Sequence, residues 1–141
     1  MKTRFAFTLA AMLLEPLTLA YSQAAQVVID QIEENSFISG HVSGLSTAEQ
    51  AHSRVVVYVH TDQWYIHPYA GQGEGQSWAA IDASGKWSIG TVRREFAADQ
   101  VAALVINEGF SPPARTQAVE KIQNNAIFRK KLVGPPDAGK L

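Results

Sequence analysis

Between residues 27 and 106 the apolar positions fall in short runs of strand length, separated by polar turn clusters. Residues 27–32 form a β-branched run, and Glu33, Glu34, Asn35 and Ser36 a turn. Residues 37–45 alternate, with Ile38, Gly40 and Val42 on one side and Ser39, His41 and Ser43 on the other. Residues 46–53 are polar and read as a loop. The run RVVVYVH, 54–60, has high β propensity on both faces, which predicts a central strand covered on two sides. Thr61-Asp62-Gln63 turns the chain, and 64–69 resumes an extended pattern with Pro68 near its end, as an edge requires. Residues 77–81 and 86–92 flank Asp82-Ala83-Ser84-Gly85, where Asp first and Gly last mark a type I turn. A four-residue loop there would pair Ala80 with Trp87 and Trp78 with Ile89, putting all four on the core face. The run VAALVI, 101–106, is continuously apolar and predicts a strand buried on both sides. Asn107-Glu108-Gly109 and then Pro112-Pro113 close this body. About seven short strands with no helix between them predict an all-β sandwich. A small barrel of the same strand count fits the spacing equally well.

The two ends of the chain read differently. Residues 1–24 run from a basic start through an apolar stretch to small residues, the pattern of a secretory signal peptide, with cleavage after Ala24 or Ala25. Glu15 and Pro16 interrupt the apolar run, which is shorter than the ~20 residues of a membrane span. The expected product is periplasmic or extracellular, without a stable membrane anchor after processing. The sandwich then occupies 25–113. In 114–133, Val119, Ile122, Ala126 and Ile127 fall at helical spacing, and Arg129, Lys130 and Lys131 suit the end of a helix, so a short amphipathic helix is expected. Residues 134–141 read as a disordered tail.

Composition narrows the function classes. The chain is 46% apolar with a net charge of −1, which excludes disorder and argues against nucleic acid as a partner. There is no cysteine, so disulfide scaffolds, thiol enzymes and Cys-ligated zinc are excluded. Charge is unevenly spread: residues 30–108 carry 10 acids and 4 bases, while 109–141 carry 2 acids and 6 bases.

Taken together, Ile38-Ser-Gly-His-Val-Ser-Gly, RVVVYV, Ile81-Asp-Ala-Ser-Gly-Lys-Trp-Ser-Ile and VAALVINEGF resemble the transthyretin-like family, more narrowly carboxypeptidase regulatory-like domains. The likeness covers about half of the chain that follows the leader, and it implies an Ig-like, Greek-key sandwich of about seven strands. The block VVVYVHTDQWYIHPYA, with SWAAI and GKWSIGTV, is similar to a group of small exported bacterial proteins of no assigned activity. It departs from the regulatory-like pattern by inserting WYIHPYAGQGEGQ. Both resemblances imply a non-enzymatic role and neither supplies catalytic residues.

The residues themselves agree. There is no G-x-S-x-G elbow, no H-E-x-x-H and no P-loop, and GQGEG lacks the strand–helix context of a dinucleotide site. A small hydrolase therefore has no motif behind it. Two constellations remain. The first is aromatic: Trp64, Tyr65 and Tyr69 lie beside the Gly-rich stretch 71–75, while Trp78 and Trp87 are expected in the core. Exposed aromatics on a sandwich edge can stack on sugar rings, so a saccharide or a protein is the expected partner. The second is His60 with His67. A two-residue loop, Asp62-Gln63, would set His60 against Tyr65 and put both imidazoles on one face, within reach of a shared copper or zinc ion. A three-residue loop would set His60 against Trp64 and send His67 to the opposite face. The plainer account is a strand pair decorated with hydrogen-bonded Tyr and His. Arg129, Lys130 and Lys131 are too few for strong membrane attachment at ~1 kcal/mol each, and docking onto the acidic body is the simpler expectation.

Overall fold

The computed structural model describes residues 24–68, 76–91 and 97–132. The expected signal peptide up to residue 23, Tyr69, the stretch 71–75 and the expected tail 134–141 lie outside the described residues. The first seven strands are β1 (Gln26–Glu33), β2 (Phe37–Ser43), β3 (Ser53–His60), β4 (Trp64–His67), β5 (Ala79–Ala80), β6 (Lys86–Gly90) and β7 (Gln100–Asn107). Two more follow, β8 (Arg115–Thr116) and β9 (Ala126–Lys131), and a short helix, α1 (Thr47–Ala51), precedes β3. They form two antiparallel sheets, one ordered β1-β2-β6 and the other β8-β4-β3-β7-β9, with β5 also on β3. The chain is therefore all-β and sandwich-like.

The first core lies between the sheets. Val27, Ile29, Ile38, Val42, Trp87 and Ile89 from the smaller sheet meet Val55, Val57, Val59, Val101, Ala103 and Val105 from the larger. The pairing of β1 with β2 skips a residue between Ile29 and Gln31, so Asp30 is bulged out. The bulge resets the alternation and brings Ile32 back to face Ile38 and the core. Gly40 sits at the tightest point. A Cβ there would collide with the Val28 carbonyl oxygen and stand 2.8 Å from Cζ2 of Trp87. The turn at 34–36 places Asn35 at φ 54°, a left-handed conformation that asparagine tolerates.

β3 and β7 are buried on both sides, as their apolar runs predict. Their outer residues Val56, Tyr58, Ala102, Leu104 and Ile106, with Trp64 and Ile66 of β4, form a second core. Val119 and Ile122 cover it, and Phe110, Ala114 and Trp78 pack at its margin. The Tyr58 hydroxyl donates to the Pro113 carbonyl oxygen at 2.6 Å, tying the sheet to its cover, and burial pushes the phenol pKa up.

Three local expectations are corrected here. The helix expected over 114–133 does not form. Val119–Lys121 is a single 3₁₀ turn, and Ala126–Lys131 is a strand paired with β7 from Val105↔Ala126 to Gln100↔Lys131. The far edge of β7 would otherwise leave backbone donors and acceptors unpaired beside an apolar core, and a ladder satisfies them better than a short helix would. Second, the stretch 46–53 is not all loop. Ser46 accepts from the Glu49 amide and Glu49 reaches back to the Ser46 amide, a capping box that starts α1. That backbone contact is the main reason the Glu49 carboxyl lies below its ordinary pKa.

Third, the hairpin pairing of Ala80 with Trp87 and Trp78 with Ile89 is absent. β5 pairs with β3 through Arg54↔Ala80 and Val55↔Ala79, while β6 pairs with β2 through Gly40↔Trp87 and Ile38↔Ile89. Trp87 and Ile89 reach the sandwich core as expected, but Trp78 joins the second one. The turn itself forms: the Gly85 amide donates to Asp82 O at 2.9 Å, with Gly85 at φ 83°. It carries the chain from one sheet to the other instead of closing a ribbon. The Asp82 carboxylate accepts from the Ser84 amide, the Ser84 hydroxyl and the Lys86 amide. These bonds, the Ser84 hydroxyl first, hold its pKa below the usual aspartate value. A folded pKa below the unfolded one stabilises above the unfolded value, and the gain fades as pH falls through the folded one. Asp82→Ala is thus expected to lower the urea midpoint near neutral pH, and the gap to wild type to close on acidification. A gap that persists in acid would assign the loss to something other than the carboxylate.

β4 and β5 lie end to end along one edge of β3, since β7 occupies the other edge throughout. The chain leaves that edge after His67, at a cis His67–Pro68 peptide, and rejoins it at Ala79. The Ser77 hydroxyl donates to the Pro68 carbonyl oxygen at 2.7 Å and pins the two ends of this connection together.

Candidate functional site

The β3–β4 register decides the histidine geometry. His60 pairs with Trp64 and Val57 with His67, so the loop has three residues, Thr61, Asp62 and Gln63. His60 therefore points to the outer face of the larger sheet and His67 into the space between the sheets. The shared two-histidine metal site expected from a two-residue loop is not formed. His67 is buried, with Nε2 hydrogen-bonded to the Thr91 hydroxyl at 2.7 Å. Nδ1 of His60 is 2.7 Å from the Asp99 carboxylate. His41 and His52 make the same kind of contact, with Asp30 at 2.8 Å and Glu108 at 2.7 Å. Among the described residues no group of three or more His, Asp or Glu is arranged to hold a metal ion.

The aromatic edge is corrected as well. Trp64 is only 3% exposed. The His60 ring lies 5.0 Å from it on one side, and the Arg129 guanidinium lies 5.1 Å over it. Arg129 is itself held by Glu120 and by Gln100. The edge of β4 is closed by β8, through Trp64↔Thr116 and Tyr65↔Arg115, and by a bond from the Ile66 amide to Ala114 O. Tyr65 is half-buried against the sandwich core. Its hydroxyl donates to Asp62 and accepts from Gln63. That donor and, above it, the Thr61 hydroxyl keep the Asp62 carboxyl below its ordinary pKa. Tyr69 lies outside the described residues. The expected edge is thus a structural seam where it is described.

The accessible indole is a different one. Trp78, expected in the core, is half-buried at the margin of the second core. Arg54, also half-buried, stacks its guanidinium 3.9 Å from the Trp78 ring centroid. Pairing of β5 with β3 creates this contact, because Arg54↔Ala80 brings the residues before Ala79 alongside the start of β3. The clue in the sequence was Arg54 itself. It shares a face with Val56 and Tyr58, so a cation there needs a partner able to cover its stem and plane. Trp78 also stands one residue past Ser77, where the connection from β4 is pinned.

A cavity of about 570 Å³ opens at the far end of the sheets, beside α1. Glu49, His52, Ser53, Asn107 and Asn125 line it together with small apolar residues. Its polar groups already have partners: Ser53 donates to the Glu49 carbonyl oxygen, Asn125 donates to Asn107, and His52 contacts Glu108 outside the cavity lining. Ser53 and His52 therefore do not form a nucleophile–base pair. Set against family models, characterised proteins and solved structures, the chain matches none.

Proposed function

We propose that the chain is an exported, non-catalytic recognition module that binds a saccharide through Trp78. The observation that carries this reading is the half-buried Trp78–Arg54 stack at the pinned end of the β4–β5 connection. With Arg54 over one face of the indole, a sugar ring would stack on the other, a flat apolar surface with a polar flank. Export to the periplasm or beyond is supported by the leader pattern of residues 1–24. The absence of catalytic signatures from the sequence favours binding over turnover. The finer assignment of the fold, a Greek-key sandwich of transthyretin-like type, belongs to the same proposal and rests on the segments that carry the resemblance.

The test exploits the burial of the other indoles. Trp64 and Trp87 are each 3% exposed, so a change in tryptophan emission on adding a soluble polysaccharide reports mainly on Trp78. Titration of the processed chain with a panel of cell-envelope polysaccharides is expected to shift the emission of wild type. Trp78→Ala is expected to abolish both shift and binding while keeping the thermal transition. A Trp78→Ala variant that binds as well as wild type would remove the reading.

A further inference from the structure

Resting on that saccharide reading, we infer that Arg54 selects a sugar that carries a carboxylate, such as a uronic acid within an anionic polysaccharide. A guanidinium stacked on an indole uses only its face; its N–H donors point outward in the plane of the group. The larger sheet holds two such stacks on the same face, and they differ in one respect. Arg129, over Trp64, spends donors on Glu120 and Gln100. Arg54, over Trp78, makes no hydrogen bond or ion pair among the described residues. Its backbone is fixed between Ile106 and Ala80, so the cation is presented from a rigid strand.

The planar edge of an arginine matches a carboxylate through two parallel bonds, a geometry that ammonium groups do not reproduce. The surrounding charge sharpens the point. The whole sequence carries a net charge of −1, so no general positive field draws a polyanion in. A carboxylate recognised there must be paid for locally, and Arg54 is the described cation placed beside the indole that would hold the sugar ring.

The experiment compares polygalacturonate with its carboxyl-reduced, neutral counterpart, using calorimetry and Trp78 emission on the processed chain. Wild type is expected to bind the polyuronate about tenfold more tightly or better, the discrimination that hydrogen bonds to a charged group supply. Arg54→Gln is expected to bind both polymers alike, and Arg54→Lys to keep only a small, salt-sensitive preference. Thermal melts check that each variant folds, and the lysine variant serves if the glutamine one does not. Equal binding of the two polymers by wild type, or an undiminished preference in Arg54→Lys, overturns the carboxylate assignment and leaves the saccharide reading standing. Binding of neither polymer overturns the carboxylate assignment, and failure across the wider polysaccharide panel overturns the saccharide reading as well. Polyglutamate binding as tight as polygalacturonate overturns the assignment in favour of an acidic protein partner.

Discussion

Removing residues 110–141 is expected to abolish cooperative folding. The deletion takes away Val119 and Ile122, which cover the second core, and uncovers Val56, Tyr58, Trp64, Ile66, Leu104 and Ile106. At ~1.5–3 kcal/mol for each large apolar side chain exposed, the loss is comparable with the whole stability of a domain, about 5–15 kcal/mol. It also strips β9 from β7 and β8 from β4, leaving backbone groups on both sides of the larger sheet without partners. Far-UV circular dichroism and urea unfolding of the truncated chain should show no sigmoidal transition. A true appendage could be removed without this effect, so a cooperative transition at the wild-type midpoint would refute the account of the second core.

Gly40→Ala is expected to be the most costly single-methyl change in the smaller sheet. The added carbon meets the Val28 carbonyl on the neighbouring strand and the Trp87 ring on the other side. Neither neighbour moves freely: Val28 belongs to β1 just ahead of its bulge, and Trp87 is 3% exposed in the core. Overpacking of this kind costs about 1–3 kcal/mol or more, which lowers the melting temperature by several degrees in a domain of this size. Trp87→Phe in the same background relieves the ring contact but not the carbonyl contact, so it should recover only part of the loss. A melting curve for Gly40→Ala that overlays wild type would show that β1 yields easily.

The strands themselves were readable because their chemistry is local. RVVVYVH and VAALVI announce strands covered on both sides, and the alternation of Ile38, Gly40 and Val42 sets their face correctly. What covers the outer side of β3 and β7 was not readable, since Val119 and Ile122 meet it from a 3₁₀ turn whose spacing mimics a helix. The pairing of β5 and β6 with different strands was also hidden. Asp82 and Gly85 specify a turn, and a turn does not dictate that its flanks pair. The candidate site inherits that gap. Arg54 meets Trp78 only because β5 lies on β3, so reading the two flanks as one hairpin assigns Trp78 to the core instead. The histidine pair depended on one residue of loop length, a quantity that alternation alone does not fix.

Because β4 and β5 share one edge of β3, with Ser77 clasping Pro68 at the base, the stretch between them is spliced into the scaffold at two fixed points. Residues can be gained or lost there without sliding either ladder. The two ladders on β3 are thus set independently of what lies between Pro68 and Ser77, so the register of β4 and of β5 is expected to survive changes in that connection.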